Sequence, residues 1–139
     1  MAISLSACDD LFENEGNIND YVGYYVTEGC RERTVRYVLG SGSEVLSEKT
    51  IEPGSGCKVI VKNDKTVVFT DQEGKEYNGT IKCMEKYCRF YNTPLSSSYK
   101  FTKIMGRLEY STSSRGSSSG ASYTETTRSI TLMKVSLFN

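Results

Sequence analysis

The chain of 139 residues contains no histidine and no tryptophan. Histidine is the base of Ser–His and Cys–His nucleophile pairs and the commonest ligand of catalytic zinc, so these classes of site are excluded. No spacing of carboxylates indicates a glycosidase pair or a calcium loop. We therefore expect a protein that is not an enzyme, with no catalytic residues, no metal and no cofactor.

The chain also lacks net charge and long apolar runs. Its 17 basic residues balance 17 acidic residues. A neutral chain without a basic stripe has no electrostatic attraction to nucleic acid, which we exclude as a partner. The longest apolar stretches are only a few residues long, far short of the roughly 20 that span a bilayer.

Strand-forming residues dominate what is present. There are ten tyrosines, and threonine, valine and serine fill much of the chain. Short segments with period-two alternation are separated by turn residues, and no helical period extends over eleven residues. The predicted strands cover residues 21–28, 33–39, 44–51, 57–62, 66–70, 75–83, 88–91, 99–111 and 122–137.

Eight or nine short strands with short sequential turns predict an all-β fold. We expect an antiparallel meander that closes into a barrel, or alternatively a β-sandwich, because an open sheet would leave edges prone to aggregation. Gly79 and Gly106 fall inside predicted strands and indicate bulges or close neighbours. The Ser- and Gly-rich segment 112–121 predicts a mobile loop.

The amino terminus contains the string Leu5-Ser6-Ala7-Cys8, which resembles the bacterial lipobox. The resemblance implies cleavage before Cys8, acylation of that residue and attachment to a membrane by lipid. Residues 1–7 would then be the remnant of a signal peptide. Residues 8–20 would form the anchor and an acidic tether, and residues 21–139 the single all-β domain.

Two further resemblances refine this expectation. Cys8-Asp9-Asp10 resembles lipoproteins of the Bacteroidetes group, which implies the outer membrane, on the periplasmic face or the cell surface. The segment Tyr21-Val22-Gly23-Tyr24-Tyr25 resembles the opening of the small lipocalin-like barrels of bacterial lipoproteins, with tyrosine in place of their tryptophan. That resemblance implies a barrel whose interior could hold a small apolar ligand.

Four cysteines remain once Cys8 is assigned to the anchor. An even number in an exported chain favours disulfides. We predict the pairs Cys83–Cys88, which flank a short hairpin connection, and Cys30–Cys57, which lie where strands meet turns. A four-cysteine zinc site is one alternative. Reduced core thiols are the other, and they would be favoured if the lipobox resemblance is accidental and the protein is cytosolic.

Aromatic and charged residues supply the candidate binding groups. Five tyrosines could line a cavity or a binding face, although tyrosine is also a common strand former with its hydroxyl in solvent. They are Tyr24, Tyr37, Tyr77, Tyr91 and Tyr99. Arg31, Arg33 and Arg36, with neighbouring glutamates, could bind an anion, but cross-strand charge pairs explain them better.

Three functions remain open for such a domain. The leading hypothesis is an envelope lipoprotein with a non-catalytic domain that binds a small apolar ligand or a protein partner. The second is a lipoprotein inhibitor or adaptor that acts through the 112–121 loop. The third is a structural accessory subunit of a surface complex that pairs through an exposed strand edge.

Overall fold

The computed structural model describes residues 14–135 and consists of nine β-strands with one short 3-10 helix, Ile18–Asp20. The strands are β1 (Gly23–Val38), β2 (Gly42–Thr50), β3 (Lys58–Val61), β4 (Thr66–Thr70), β5 (Glu76–Cys83), β6 (Tyr87–Tyr91), β7 (Phe101–Ile104), β8 (Arg107–Ser119) and β9 (Ser122–Val135). Every pairing between them is antiparallel. The predicted all-β class is confirmed.

Eight of the strands close into a barrel. The first residues of β1 pair with β3, the strands from β3 to β9 pair in sequence order, and β9 returns to pair with β1. The remaining strand, β2, pairs with the second half of β1 outside the barrel. The predicted meander that closes into a barrel is therefore confirmed, with β2 as an addition to it.

Close-packed aromatic and aliphatic side chains fill the barrel. Phe69, Phe90 and Phe101 are each 0% exposed, and the rings of Phe90 and Phe101 meet edge to face at 5.3 Å. Leu132 and Ile130 of β9 are equally buried against them. Burial of this apolar surface is the main force that holds the barrel together.

The amino-terminal residues close one end of the barrel, which we call the base. The Gly16 N–H donates to the Cys83 carbonyl at 3.0 Å, and the Tyr21 hydroxyl donates to the Met84 carbonyl at 2.7 Å. The turns that follow β3, β5 and β7 also lie at the base, as does the end of β9 at Val135.

Four strands continue past the opposite end of the barrel as a sheet, which we call the extension. It comprises residues 31–50 of β1 and β2 and residues 111–129 of β8 and β9, in the order β2-β1-β9-β8. At about 3.3 Å per residue, residues 31–38 reach roughly 25 Å. None of the described side chains in the extension is buried, so both of its faces meet solvent.

Three sequence predictions about strand boundaries were wrong. Residues 21–28 and 33–39 belong to one strand, β1, which continues through a bulge at Gly29 (φ +61°). Residues 99–111 are two strands, because Gly106 (φ +78°) forms a turn and not a bulge. At Gly79 the neighbour is close, since an added Cβ would overlap the Tyr91 carbonyl.

The predicted mobile loop at 112–121 is the third error. Residues 112–119 belong to β8 and pair with β9, with one bulge between Arg115 and Ser118. Ser- and Gly-rich composition indicated a loop, but cross-strand hydrogen bonds to β9 hold this segment as a strand. Only Gly120 and Ala121 form the connecting turn.

The predicted anchor at Cys8, the signal remnant 1–7 and residues 9–13 of the tether lie outside the described residues, whereas residues 14–20 of the tether lie within them. The described part of the chain has no helix that is both long enough and apolar enough to cross a membrane.

Candidate interaction surface

The structure disperses the five tyrosines predicted as binding residues. Tyr77 and Tyr99 pack against the barrel core. Tyr24 and Tyr91 alternate with the buried Tyr25 and Phe90 and so lie on the outer side of the barrel, where both are half-buried. In the described part of the chain, no ring contact joins two of the five. They form no common cavity.

Tyr37, in contrast, belongs to a cluster of planar groups in the extension. Its ring stacks on Tyr123 of β9, directly opposite in register, with centroids 5.2 Å apart. The Arg115 guanidinium lies over the Tyr123 ring, 4.2 Å from its centroid. Sequence reasoning missed Tyr123 and Arg115 because both adjoin or lie within the Ser-rich segment predicted as a loop.

A groove of about 730 Å³ opens at the tip of the extension, between the β1–β2 turn and the β8–β9 turn. Tyr37, Tyr123 and Arg115 line it together with the turn residues Leu39 and Ala121. The Leu39 N–H donates to the Ala121 carbonyl at 2.8 Å, which holds the two turns together. Leu39 is nevertheless 83% exposed.

Further apolar side chains are exposed near the tip. Val45 and Leu46 of β2 are 46% and 40% exposed, and Val38 lies beside Leu39. Isolated exposed apolar residues are normal on a protein surface. Val38 and Leu39 line the groove together with the aromatic–arginine cluster, and we call these five residues the tip patch: Tyr37, Val38, Leu39, Arg115 and Tyr123.

Charged residues of the extension pair across strands, as the sequence indicated. Arg31 and Arg33 both approach Glu48, at 3.4 and 4.0 Å. On the other face, Glu32 contacts Lys49 at 3.4 Å and Arg128 at 3.3 Å. These pairs are solvent-exposed, so each contributes little to stability. They lie across the β1–β2 and β1–β9 pairings.

The two predicted disulfides are not found, because the structure holds Cys30, Cys57, Cys83 and Cys88 as buried free thiols. Cys83 lies directly opposite Cys88 in the β5–β6 hairpin, so the predicted hairpin is confirmed without its bond. The Cys57 thiol donates to the Gly54 carbonyl at 3.6 Å. These thiols act as small core side chains, in agreement with the reduced alternative.

Burial controls the ionisation of the core thiols and phenols. Loss of hydration raises the pKa of Cys83 to about 11 and the pKa of Cys88 well above its ordinary value. It likewise raises the pKa of Tyr25 to about 12. A protonated, buried thiol is a poor nucleophile, so none of these groups is prepared for covalent chemistry.

Within residues 14–135, no group of three or more Cys, Asp or Glu side chains is placed to hold a metal ion. No protein-family model, curated protein or solved structure matches the chain. The tip patch is formed by residues of β1, β8 and β9 and of the β1–β2 turn.

Proposed function

We propose that this protein is a non-catalytic envelope lipoprotein, attached to the membrane by lipid on Cys8, that binds a protein partner through its extension. One observation carries the proposal. The extension is a four-stranded sheet with no buried side chain among those described, and it projects from the barrel end opposite the base.

The extension has no buried side chain among those described, so core packing does not explain why its strands continue past the barrel. The barrel does not depend on residues 31–50 or 111–129 for its apolar core, which is complete below them. The extension exposes apolar and aromatic groups at its far end. Tyrosine and arginine are enriched among the residues that dominate binding energy at protein interfaces. Tyr37, Tyr123 and Arg115 give the tip patch residues of these two types.

The barrel interior supports the protein partner over a small apolar ligand. Phe69, Phe90 and Phe101 occupy the space that a ligand would need. Ligand pockets in proteins usually have volumes of hundreds of cubic ångströms. Grooves of about 730 and 400 Å³ lie at the tip, outside the barrel.

The placement of the ends supports anchoring at the base. Asn14 lies at the base, where its side chain donates to Glu85 at 2.9 Å, and Cys8 precedes it by six residues. Two or three acyl chains on such a cysteine hold a protein on a membrane stably. Anchored there, the barrel would present the tip patch away from the lipid surface.

Photo-crosslinking in the native envelope tests the binding proposal. A photoreactive amino acid at Leu39 should give a discrete adduct with one protein, and the same group at Lys86, in the exposed turn at the base, should not. The Tyr37→Ala, Tyr123→Ala double variant should lose the Leu39 adduct, while Tyr91→Ala on the barrel should keep it. Equal adducts from Leu39 and Lys86 would contradict the proposal.

Metabolic labelling with an alkyne fatty acid tests the anchor separately. The natural protein should take up the label and fractionate with membranes, and Cys8→Ser should do neither. An unlabelled, unprocessed product would refute the anchor and leave the binding test to stand on its own.

A further inference from the structure

The outer edge of β8 loses its neighbouring strand where the extension begins. β7 pairs with β8 only from Arg107 to Glu109. Beyond Tyr110, no strand within residues 14–135 pairs with that side of β8, although β9 pairs with its other side up to Ser119. Residues 111–119 therefore form a free sheet edge, which we call the β8 edge.

The hydrogen-bonding groups that face outward on this edge can be assigned. The Lys134 N–H donates to the Gly106 carbonyl at 3.0 Å, so Gly106 directs its backbone groups toward β9. These groups alternate along an antiparallel strand. Ser111, Ser113 and Arg115 therefore direct both N–H and C=O away from β9, into open space.

The two edges of the extension differ in how they are protected. On β2, Glu44 and Glu48 are engaged with arginines of β1, and a bulge interrupts the pairing near Val45. Charges and bulges are the usual devices that prevent edge pairing. The β8 edge consists of serine, threonine and glycine apart from Arg115. Its first four residues carry no charge, proline or bulge.

We propose that the β8 edge accepts an extended segment of a partner protein as an added strand, with an acidic side chain opposite Arg115. The added strand would continue the line of β7. This inference rests on the proposed function and specifies how the partner binds. Main-chain hydrogen bonds to Ser111, Ser113 and Arg115 would supply affinity. Arg115 has Glu125 of β9 opposite it on one side, and a second carboxylate on its open side would supply specificity.

Register argues against a second copy of this chain as the occupant. If the β8 edges of two copies paired antiparallel over all of residues 111–119, the centre of the pairing would fall at residue 115. Arg115 would then face its own equivalent, and like charges directly opposite each other are destabilising. A register centred on Ser113 would collide with β7 of the other copy. An extended segment of a different protein, with a carboxylate opposite Arg115, avoids both the like-charge repulsion and the collision with β7.

Two labelled peptides test the proposal on the full chain by fluorescence anisotropy. Both are nine residues of alternating threonine and valine, one with a central glutamate and the other with a central lysine. The glutamate peptide should bind about five- to tenfold more tightly, as expected for an opposite-charge pair against a like-charge pair. Arg115→Glu should reverse this preference.

A proline variant tests the main-chain component. Ser113→Pro removes an N–H that faces the open edge and leaves pairing to β9 in place, because proline is tolerated where the N–H faces solvent. It should abolish binding of both peptides, whereas Ser113→Ala should bind as the natural chain does. Circular dichroism establishes that both variants are folded.

The outcomes separate this inference from the proposed function. If Ser113→Pro still binds the peptides, or Arg115→Glu leaves the preference unchanged, strand addition at the β8 edge is wrong. If the Leu39 adduct persists in Ser113→Pro, the partner binds the tip patch without strand addition. A dimer seen by light scattering and lost in Ser113→Pro would assign the edge to a second copy and overturn the proposal.

Discussion

The barrel and the extension share three strands but hold them together in different ways. In the barrel, Tyr25 of β1, Leu108 of β8 and Ile130 of β9 are buried in a common core. Further along the same strands, both faces carry hydroxyl and charged side chains that meet solvent. Cross-strand pairs such as the Thr34 and Thr126 hydroxyls, 3.0 Å apart, replace core packing there. Sheet formation in the extension thus depends on pairing.

The largest contrast should come from aromatic truncation in the two regions. Phe90→Ala should lower the free energy of unfolding by about 3–5 kcal/mol, because it leaves a cavity in a packed core. Tyr37→Ala, in the extension, should cost about 0.5–1.5 kcal/mol, the contribution of an aromatic pair. Urea denaturation measures both.

Phe90→Leu, which keeps much of the ring volume, gives a smaller loss in the same direction and remains measurable if Phe90→Ala fails to fold. Equal losses for Phe90→Ala and Tyr37→Ala would show that the extension is as tightly packed as the barrel.

Replacing a threonine hydroxyl should lower the free energy of unfolding more in the barrel than in the extension, by a smaller margin than aromatic truncation does. The Thr27 hydroxyl donates to the Gly54 carbonyl at 2.7 Å and accepts from the Cys57 N–H at 2.9 Å, and Thr27 is 1% exposed. Thr27→Val should cost about 1–3 kcal/mol, because two buried backbone groups lose their partner. Thr34→Val, its counterpart in the extension, should change the free energy of unfolding by less than about 0.5 kcal/mol. Thermal unfolding distinguishes them.

Alkaline pH should destabilise the barrel gradually through its buried thiols. The pKa of Cys83 is raised to about 11, so above about pH 9 the unfolded chain loses thiol protons that the folded chain keeps. The free energy of unfolding should be level from pH 7 to 8.5 and fall between about pH 9 and 11.

The Cys83→Ala, Cys88→Ala variant should show a shallower fall over the same pH range. Thiol titration in denaturant without reductant should detect all four core cysteines. Fewer free thiols would show that disulfides form after all.

A small, salt-dependent effect should come from the exposed charges. Glu32→Gln removes contacts with Lys49 and Arg128 and should cost less than about 1 kcal/mol. Its effect should disappear in about 1 M salt, where charges are screened within about 3 Å. Hydrogen exchange of the extension amides, compared at low and high salt, measures it. A loss that persists at high salt would indicate a role beyond charge pairing.

The sequence predicted the barrel better than the extension for a physical reason. Alternation of buried and exposed residues located β4 and β5 because one face of each strand packs on a core. The segment 112–119 has no apolar face to detect, and its strand character comes from pairing with β9 across the turn at Gly120 and Ala121. Tyr123 and Arg115 were missed for the same reason. The cluster they form depends on register, which composition does not encode.

For the cysteines, the sequence predicted position better than oxidation state. The spacing of Cys83 and Cys88 correctly placed them on adjacent strands of one hairpin. An even count of cysteines indicated bonds between them, yet the same residues serve as packing groups within the core. Proximity was readable from spacing, whereas oxidation state was not.

The continuous course of β1, β8 and β9 through both regions determines how the molecule resists tension. A force applied to β8 along its strand axis, and opposed at residue 14, would pass from β8 through β9 to β1. The force runs lengthwise along both ladders, so their hydrogen bonds are sheared together and do not open one at a time. Both ladders would therefore resist a load along the strand axes with many hydrogen bonds at once.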